Sequence, residues 1–268
     1  MDAVGLRQLA ELIYNHCGID YINNLNSLYN KVNNRIKELG LSYWEYCGYL
    51  KVEADEWDIL IELITVNETY FFREENLLEE FRKVLLDNYR NHTPLNPLKI
   101  WCAACSSGEE PYTLAMIIDD LDCLPKGAVQ IIGSDINKKV LKKAESGLYS
   151  KRSFSFRKMP EGAIEKFFVD MGEDYLVKPS IKSMVEFRYL NLLDTNSLNQ
   201  MKDIDIILCR NVLIYFDKQA IQALVNSFYD ILKKNGILFL GHSETLSYIS
   251  HKFKTVYTDQ IFYYKKGD

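Results

Sequence analysis

The sequence predicts an α/β chain: a mostly parallel sheet covered on both faces and closed by an antiparallel strand, preceded by a small all-α domain. Three observations carry this. Beyond about residue 97, short apolar runs each end in a turn and lead into a helical pattern, the alternation that specifies a parallel sheet. Before residue 90, apolar residues recur at three- and four-residue spacing instead. At the tail, two short runs flank Thr258-Asp259, as in a closing hairpin.

Taken in order, Leu25, Leu28, Tyr29, Val32, Ile36 and Leu39 form the stripe of an amphipathic helix stopped at Gly40. Ser42-Tyr43-Trp44-Glu45 has the S-x-x-E pattern of a capping box, which starts the next helix. Further helices are predicted near Trp57 to Ile64 and from about Glu75 to Tyr89. Pro94 and Pro97 rule out helix through 91–97, which reads as a linker. Strands are then expected at Leu98 to Ala103, Val129 to Ile132, Ile204 to Cys209 and Ile237 to Leu240, with a helix near Gln219 to Lys233. The hairpin strands are placed at Phe253 to Tyr257 and Gln260 to Tyr264. Residues 148 to about 184 break the alternation, carry Phe154, Phe156, Phe167 and Phe168 among many charges, and read as an inserted subdomain. The expected division is thus 1–90 helical, 91–97 linker, and 98–268 sheet domain with the insert.

Composition narrows the function classes. With 268 residues, 47% of them hydrophobic, the chain has enough apolar material for a substantial core. No run approaches the length needed to span a bilayer, and Asp2, Arg7 and Glu11 interrupt the apolar positions a signal peptide would need. A cytoplasmic protein is expected. The net charge of −5 argues against a nucleic-acid binder that neutralises phosphates over a broad face. Residues 1–90 hold 9 basic and 16 acidic side chains, so most of the negative charge lies there. The six cysteines lack the spacing of a disulfide framework or a zinc site; Cys102 and Cys105 read as small buried side chains, and no metal is expected.

Ligands of an open α/β sheet sit beyond the carboxyl ends of its strands. Three segments fall there. Ala103 to Tyr112 follows the first strand with small residues and the acids Glu109 and Glu110. It lacks the glycine and lysine pattern of a phosphate cradle, and two carboxylates would repel an anion. Those acids either face a cationic or hydroxyl-rich ligand or complement the helix dipole. Asp135 ends the second strand, where an acid either accepts hydrogen bonds from ribose hydroxyls or caps the helix beginning at Lys138. Leu208 to Asp217 places Arg210 and Asn211 after a buried strand, with Tyr215 just past an apolar turn. Outside the sheet, Asn67 to Glu74 sets aromatics beside Arg73, either over a cleft or packed between domains.

Together these segments resemble the CheR-type chemotaxis receptor (protein-glutamate) methyltransferase family. The matching blocks run in order: N-x-T-x-F-F-R-E at 67–74, A-x-x-S-[ST]-G-E-E-P-Y-[ST] at 103–113, D-I-[DN] with its sequel to Tyr149 at 135–149, Asn191-Leu192-Leu193, C-R-N-V-[LM]-I-Y-F-D at 209–217 and Gly241-His242-Ser243-Glu244. The resemblance implies a Rossmann-like S-adenosylmethionine-binding domain carrying a small inserted β-subdomain. Asn67, Thr69, Arg73, Glu109, Asp135, Asn191, Leu192, Arg210 and Asn211 would surround S-adenosylmethionine, or the product S-adenosylhomocysteine, with Arg73 and Tyr215 nearest the transferred methyl. It implies receptor cytoplasmic domains as partner and glutamate side chains as acceptor. The family commonly carries a dense basic stripe on one N-terminal helix; here the corresponding residues 23–37 supply only Lys31, Arg35 and Lys37. Basic residues cluster instead between Lys138 and Lys158, as a docking face or a solvated helix face. A different acceptor for the same cofactor site, or a cofactor sensor without turnover, are the other readings.

Overall fold

The computed structural model describes residues 2–267. Five helices come first: α1 (Ala3–Cys17), α2 (Leu25–Glu38), α3 (Tyr43–Val52), α4 (Glu56–Ile64) and α5 (Glu75–Asn88). α1, which no motif singles out, starts where the Asp2 carboxylate accepts the Gly5 N–H at 3.0 Å. The Ser42–Glu45 capping box is formed in full at the head of α3. The first four helices enclose their own core around Leu6, Leu9, Ile13, Leu28, Val32 and Tyr46. Inside it the Arg35 guanidinium meets the buried Glu56 carboxylate twice, at 2.9 and 2.7 Å, and the Tyr46 hydroxyl donates to the same acid at 2.8 Å. Burying a carboxylate is tolerable only when it is paired and hydrogen-bonded in this way.

α5 packs elsewhere. Its Leu77, Leu78, Phe81, Val84 and Leu85 join the apolar layer of the sheet rather than the helical core. By packing, the break between the two bodies lies between Ile64 and Phe71, and the proline stretch 91–97 leads from α5 into the sheet instead of joining domains. A helix stripe read from sequence reveals which side is buried, not what it is buried against.

The rest of the chain follows as β1 (Leu98–Ala103), α6 (Glu109–Leu121), β2 (Val129–Asp135), α7 (Lys138–Ser146), β3 (Leu148–Ser150), α8 (Ala163–Phe167), β4 (Phe168–Asp170), β5 (Asp174–Val177), α9 (Pro179–Lys182), β6 (Val185–Tyr189), α10 (Thr195–Leu198), β7 (Ile204–Cys209), α11 (Lys218–Ile231), β8 (Leu232–Leu240), β9 (Phe253–Tyr257) and β10 (Phe262–Lys266). Seven strands form one sheet in the order β6-β2-β1-β7-β8-β10-β9, parallel from β6 to β8 and antiparallel at β10 and β9. β6, hidden in sequence by its half-exposed edge position, was not among the expected strands. The insert is a three-stranded antiparallel sheet, β3-β5-β4, with short helical turns.

The order of strands switches sides between the parallel neighbours β1 and β7 at the centre of the sheet, so a crevice opens at their carboxyl ends. Register fixes what lines it. Ala103 lies beside Ser134 on one side and Cys209 on the other, and Asp135 lies beside Tyr189. Ala104, Asp135, Arg210 and, two residues past Tyr189, Asn191 therefore emerge along one edge.

Candidate active site

The crevice runs between that edge and the helical body, whose Cys17, Ile19 and Ile64 form its far wall. It is lined by Asn67, Thr69, Arg73, Asp135, Asn191 and Leu192, and by Arg210, Asn211 and Tyr215. Eight of the nine residues expected around a cofactor, and both expected at the reacting group, thus face one cavity. Glu109 does not. It is 1% exposed, and its oxygens take the hydroxyls of Ser107 (3.0 and 2.8 Å) and Ser155 (2.8 Å). Its neighbour Glu110 lines the crevice instead. One residue along a helix turns a side chain by about 100°, so an adjacent pair of acids leaves open which one faces the cavity.

Asp135 is 7% exposed, and its two oxygens accept the N–H groups of Ser106 (2.8 Å) and Asn137 (2.9 Å). The cap of α7 is Asn137, which accepts from Lys139 and Val140, so Asp135 has no capping role. Burial pushes its carboxyl above the ordinary aspartate value, against the pull of the backbone donors. With one donor on each oxygen, each keeps lone-pair capacity for a further hydroxyl. The Ala104-Cys105-Ser106 turn beside it holds Ala104 and Ser106 in the left-handed region, at φ 59° and 51°. Gly108 follows at φ 91°, and a Cβ there would lie 2.8 Å from that of Ala144.

Arg210 anchors the centre. Its side chain is 3% exposed, pairs with Glu110 at 2.5 Å and Glu74 at 3.2 Å, and donates to the Arg73 carbonyl at 2.7 Å. Among the described residues its Nε has no hydrogen-bond partner. A buried, partnerless guanidinium N–H on a cavity wall suits a ligand with a carboxylate or other acceptor, and Asp135 suits a vicinal diol. An amino-acid-bearing nucleoside has both.

The loop after β7 is set by a residue to which the sequence pattern assigned no role. The Glu244 carboxylate, 5% exposed, accepts four backbone N–H groups: Asn211 (2.8 Å) and Gly241 (2.7 Å) on one oxygen, Val212 (2.9 Å) and Leu213 (2.8 Å) on the other. This holds Asn211 at φ 57° and starts the 3-10 turn Leu213–Tyr215. The helical body fastens the same loop from outside. The Tyr14 hydroxyl donates to Asp217 (2.8 Å), the Asp20 N–H to the Tyr215 carbonyl (3.0 Å), and the Asn191 amide to the His16 carbonyl (2.6 Å). Gly18 closes α1 at φ 75°, where a Cβ would lie 2.2 Å from the Leu193 side chain. Burial raises the Tyr215 phenol above its ordinary value while the Arg73 guanidinium opposes it, so Tyr215 is a hydroxyl donor at neutral pH. Arg73 itself donates to the Glu68 carbonyl at 2.9 Å.

The basic cluster of 138–158 is largely engaged within the molecule. Lys138 pairs with Asp58 (2.8 Å), Lys139 with Glu62, Lys151 with Asp170 (2.7 Å), Arg152 with Glu173 (3.1 Å) and Arg157 with Glu68 (2.7 Å). Burial lifts the Cys102 and Cys105 thiols well above their usual range, which keeps them neutral. Among the described residues there is no group of three or more His, Cys, Asp or Glu arranged to hold a metal, and no helix long and apolar enough to cross a membrane.

Residues 67–262 match the family model described as CheR methyltransferase, SAM binding domain, and residues 5–65 match CheR methyltransferase, all-alpha domain. The chain is 38% identical over 216 residues to chemotaxis protein methyltransferase 2 of Vibrio cholerae, covering 79% of this chain and 74% of that protein. It is 32% identical over 263 residues to the chemotaxis protein methyltransferase of Escherichia coli (94% and 89% covered), and 33% over 251 residues to that of Borreliella burgdorferi (90% and 88% covered).

Proposed function

The chain belongs to the CheR methyltransferase family, and on that premise we propose that it methylates glutamate side chains of chemotaxis receptor signalling domains. It is an S-adenosylmethionine-dependent methyltransferase. What supports the finer reading is one juxtaposition: Arg73 and Tyr215 share a crevice wall with Asp135, Asn191, Arg210 and Asn211. The cofactor, when bound, supplies a methyl group on a cationic sulfonium.

Asn67, Thr69, Asp135, Asn191, Leu192, Arg210 and Asn211 would hold that cofactor. Asp135 would accept the ribose hydroxyls and Arg210 Nε an acceptor at the amino-acid end. A glutamate acceptor is already ionised at pH 7, so no residue has to remove a proton. The work left to the chain is alignment and exclusion of water. Arg73 orients the acceptor carboxylate and Tyr215 donates a hydrogen bond to it, while the helical wall at Cys17, Ile19 and Ile64 keeps the crevice dry. The modified receptor region lies on the cytoplasmic side of the membrane in this reading, and the enzyme works there.

Labelled-methyl transfer to a receptor cytoplasmic fragment tests the proposal: base-labile label on glutamate supports it. Tyr215→Phe should bind S-adenosylhomocysteine like the parent, and both it and Arg73→Ala should transfer at least tenfold more slowly, the loss of one transition-state hydrogen bond or more. Parent-rate transfer by both would remove them from the reaction. One observation favours a second acceptor class. Two of the three cations of α2 are engaged within the molecule, Arg35 with the buried Glu56 and Lys31 toward the Leu63 carbonyl (3.5 Å), which leaves Lys37 as the exposed one. Label appearing only on another protein or a small molecule would establish that alternative.

A further inference from the structure

The segment 67–74 reaches over the crevice and carries Arg73, and its backbone is strained on both sides of that residue. Phe72 sits at φ 57° and Glu74 at φ 62°, in the left-handed region that a bulky side chain rarely adopts. Such strain persists only where the surroundings over-determine the backbone. Over Glu68 to Phe71, just ahead of Arg73, those surroundings belong largely to the insert. The Phe71 N–H donates to the Ser155 carbonyl at 2.9 Å. The Phe71 ring, 0% exposed, is caged by Tyr149 (5.0 Å, edge-on), Phe156 (5.4 Å, stacked) and Phe168 (5.2 Å, edge-on). Arg157 pairs with Glu68 at 2.7 Å and lies 3.8 Å over the Tyr70 ring. The buried Glu109 joins the assembly from below by accepting the Ser155 hydroxyl.

From this we infer that the inserted subdomain is the positioning element for Arg73, with Phe71 as the positioning residue through which it acts. The insert grips the segment at Glu68, Tyr70 and Phe71, immediately before Arg73. The sheet side holds its two ends: the Ser106 hydroxyl donates to the Asn67 carbonyl (3.1 Å), the Thr113 hydroxyl accepts the Phe72 N–H (3.1 Å), and Arg210 donates to the Arg73 carbonyl and pairs with Glu74, which also accepts the Asn211 amide (3.4 Å). Most cofactor-facing residues, among them Asp135, Asn191, Arg210 and Asn211, lie outside this segment. Loosening the insert therefore slows transfer more than it weakens cofactor binding. The inference rests on the reading that Arg73 orients the acceptor.

The experiment uses the full chain and two variants. Phe71→Leu opens the aromatic cage; Arg157→Gln removes the surface grip and keeps the cage, so it stays informative if the first variant folds poorly. Hydrogen exchange of the 68–72 amides reads position without any acceptor, and should rise about tenfold or more in each folded variant while β1 amides are unchanged. With saturating acceptor, kcat should fall about ten- to hundredfold in Phe71→Leu and severalfold in Arg157→Gln, with S-adenosylhomocysteine affinity within about threefold of the parent. Unchanged exchange in 68–72 overturns the positioning role. Raised exchange with parent kcat overturns the link to transfer, as does a loss confined to cofactor affinity. A parent that transfers no methyl to an acidic acceptor defeats the functional reading alone, and exchange still decides the positioning role.

Discussion

Replacing Glu244 with Gln isolates what its carboxylate contributes, because size is kept and charge and acceptor symmetry are lost. Each carboxylate oxygen accepts two backbone N–H groups, Asn211 and Gly241 on one and Val212 and Leu213 on the other. A glutamine amide has one oxygen, so either flip sets its NH2 against two N–H donors. No rotamer satisfies all four. Two charge-assisted bonds at about 1.5–3 kcal/mol each are lost, roughly 3–6 kcal/mol in total. If the loop stays in place, the loss is global and lowers the thermal midpoint by roughly 5–11 °C. If the loop yields, Asn211 leaves φ 57°, Tyr215 moves with the turn, and the loss appears as weaker S-adenosylhomocysteine binding and slower transfer. A thermal scan and titration calorimetry on one preparation read both routes. A Glu244→Gln protein matching the parent in midpoint and in affinity would refute the reasoning, since both places where the energy can go would be unchanged.

Asp135 sets an acid limit on binding. Burial holds its folded carboxyl above the ordinary value of 3.8, so the ionised form that accepts hydroxyls is lost at a higher pH than for an exposed aspartate. By linkage, its contribution to folding is greatest when protonated and falls as pH rises through the raised value; ligand affinity moves the other way. Calorimetry from neutral pH downward should show S-adenosylhomocysteine affinity falling before pH 3.8 is reached, and Asp135→Asn should bind weakly with a flatter profile. Glu56 behaves oppositely: burial raises its carboxyl, but the Arg35 and Tyr46 bonds outweigh this and leave it below the ordinary value. Its stabilisation is present at neutral pH and disappears as pH falls through the depressed value, and Glu56→Gln should cost about 3 kcal/mol in a denaturant titration. Tyr14→Phe removes the bond to Asp217 but leaves the Asp217 cap of α11 intact; about 1 kcal/mol should be lost, and a thermal midpoint equal to the parent's would argue against the Tyr14 tie.

What the sequence revealed of the fold follows what local physics controls. The strands β1, β2 and β7 are buried on both faces and read as continuous apolar runs, and the Ser42 capping box is a contact between residues three apart. β6 pairs only through β2 and alternates partly exposed residues, so it left no run to find. The partner of α5 was equally out of reach: Phe81 and Leu85 meet Phe239 and its neighbours far along the chain, a fact of tertiary packing. Likewise the basic residues of α7 look like a free face in sequence because Asp58 and Glu62, which neutralise Lys138 and Lys139, stand about eighty positions earlier.

The site was legible down to the loops and less so within them, and three buried acids show why. Glu109, Asp135 and Glu244 each stand at or just beyond the carboxyl end of a strand, and each is less than a tenth exposed. In sequence they are alike. They differ in what fills their lone pairs. Glu244 holds four N–H groups, three of them in the loop after β7, and Glu109 holds two serine hydroxyls, so each is occupied within the protein. Asp135 holds one N–H on each oxygen and lines the crevice, so it retains capacity for a ligand. Removing Glu109 or Glu244 would therefore misplace residues that touch the cofactor, whereas removing Asp135 would delete a contact. The two effects separate experimentally: a lost contact weakens binding beyond what any change in stability accounts for, whereas a lost anchor weakens binding in step with stability.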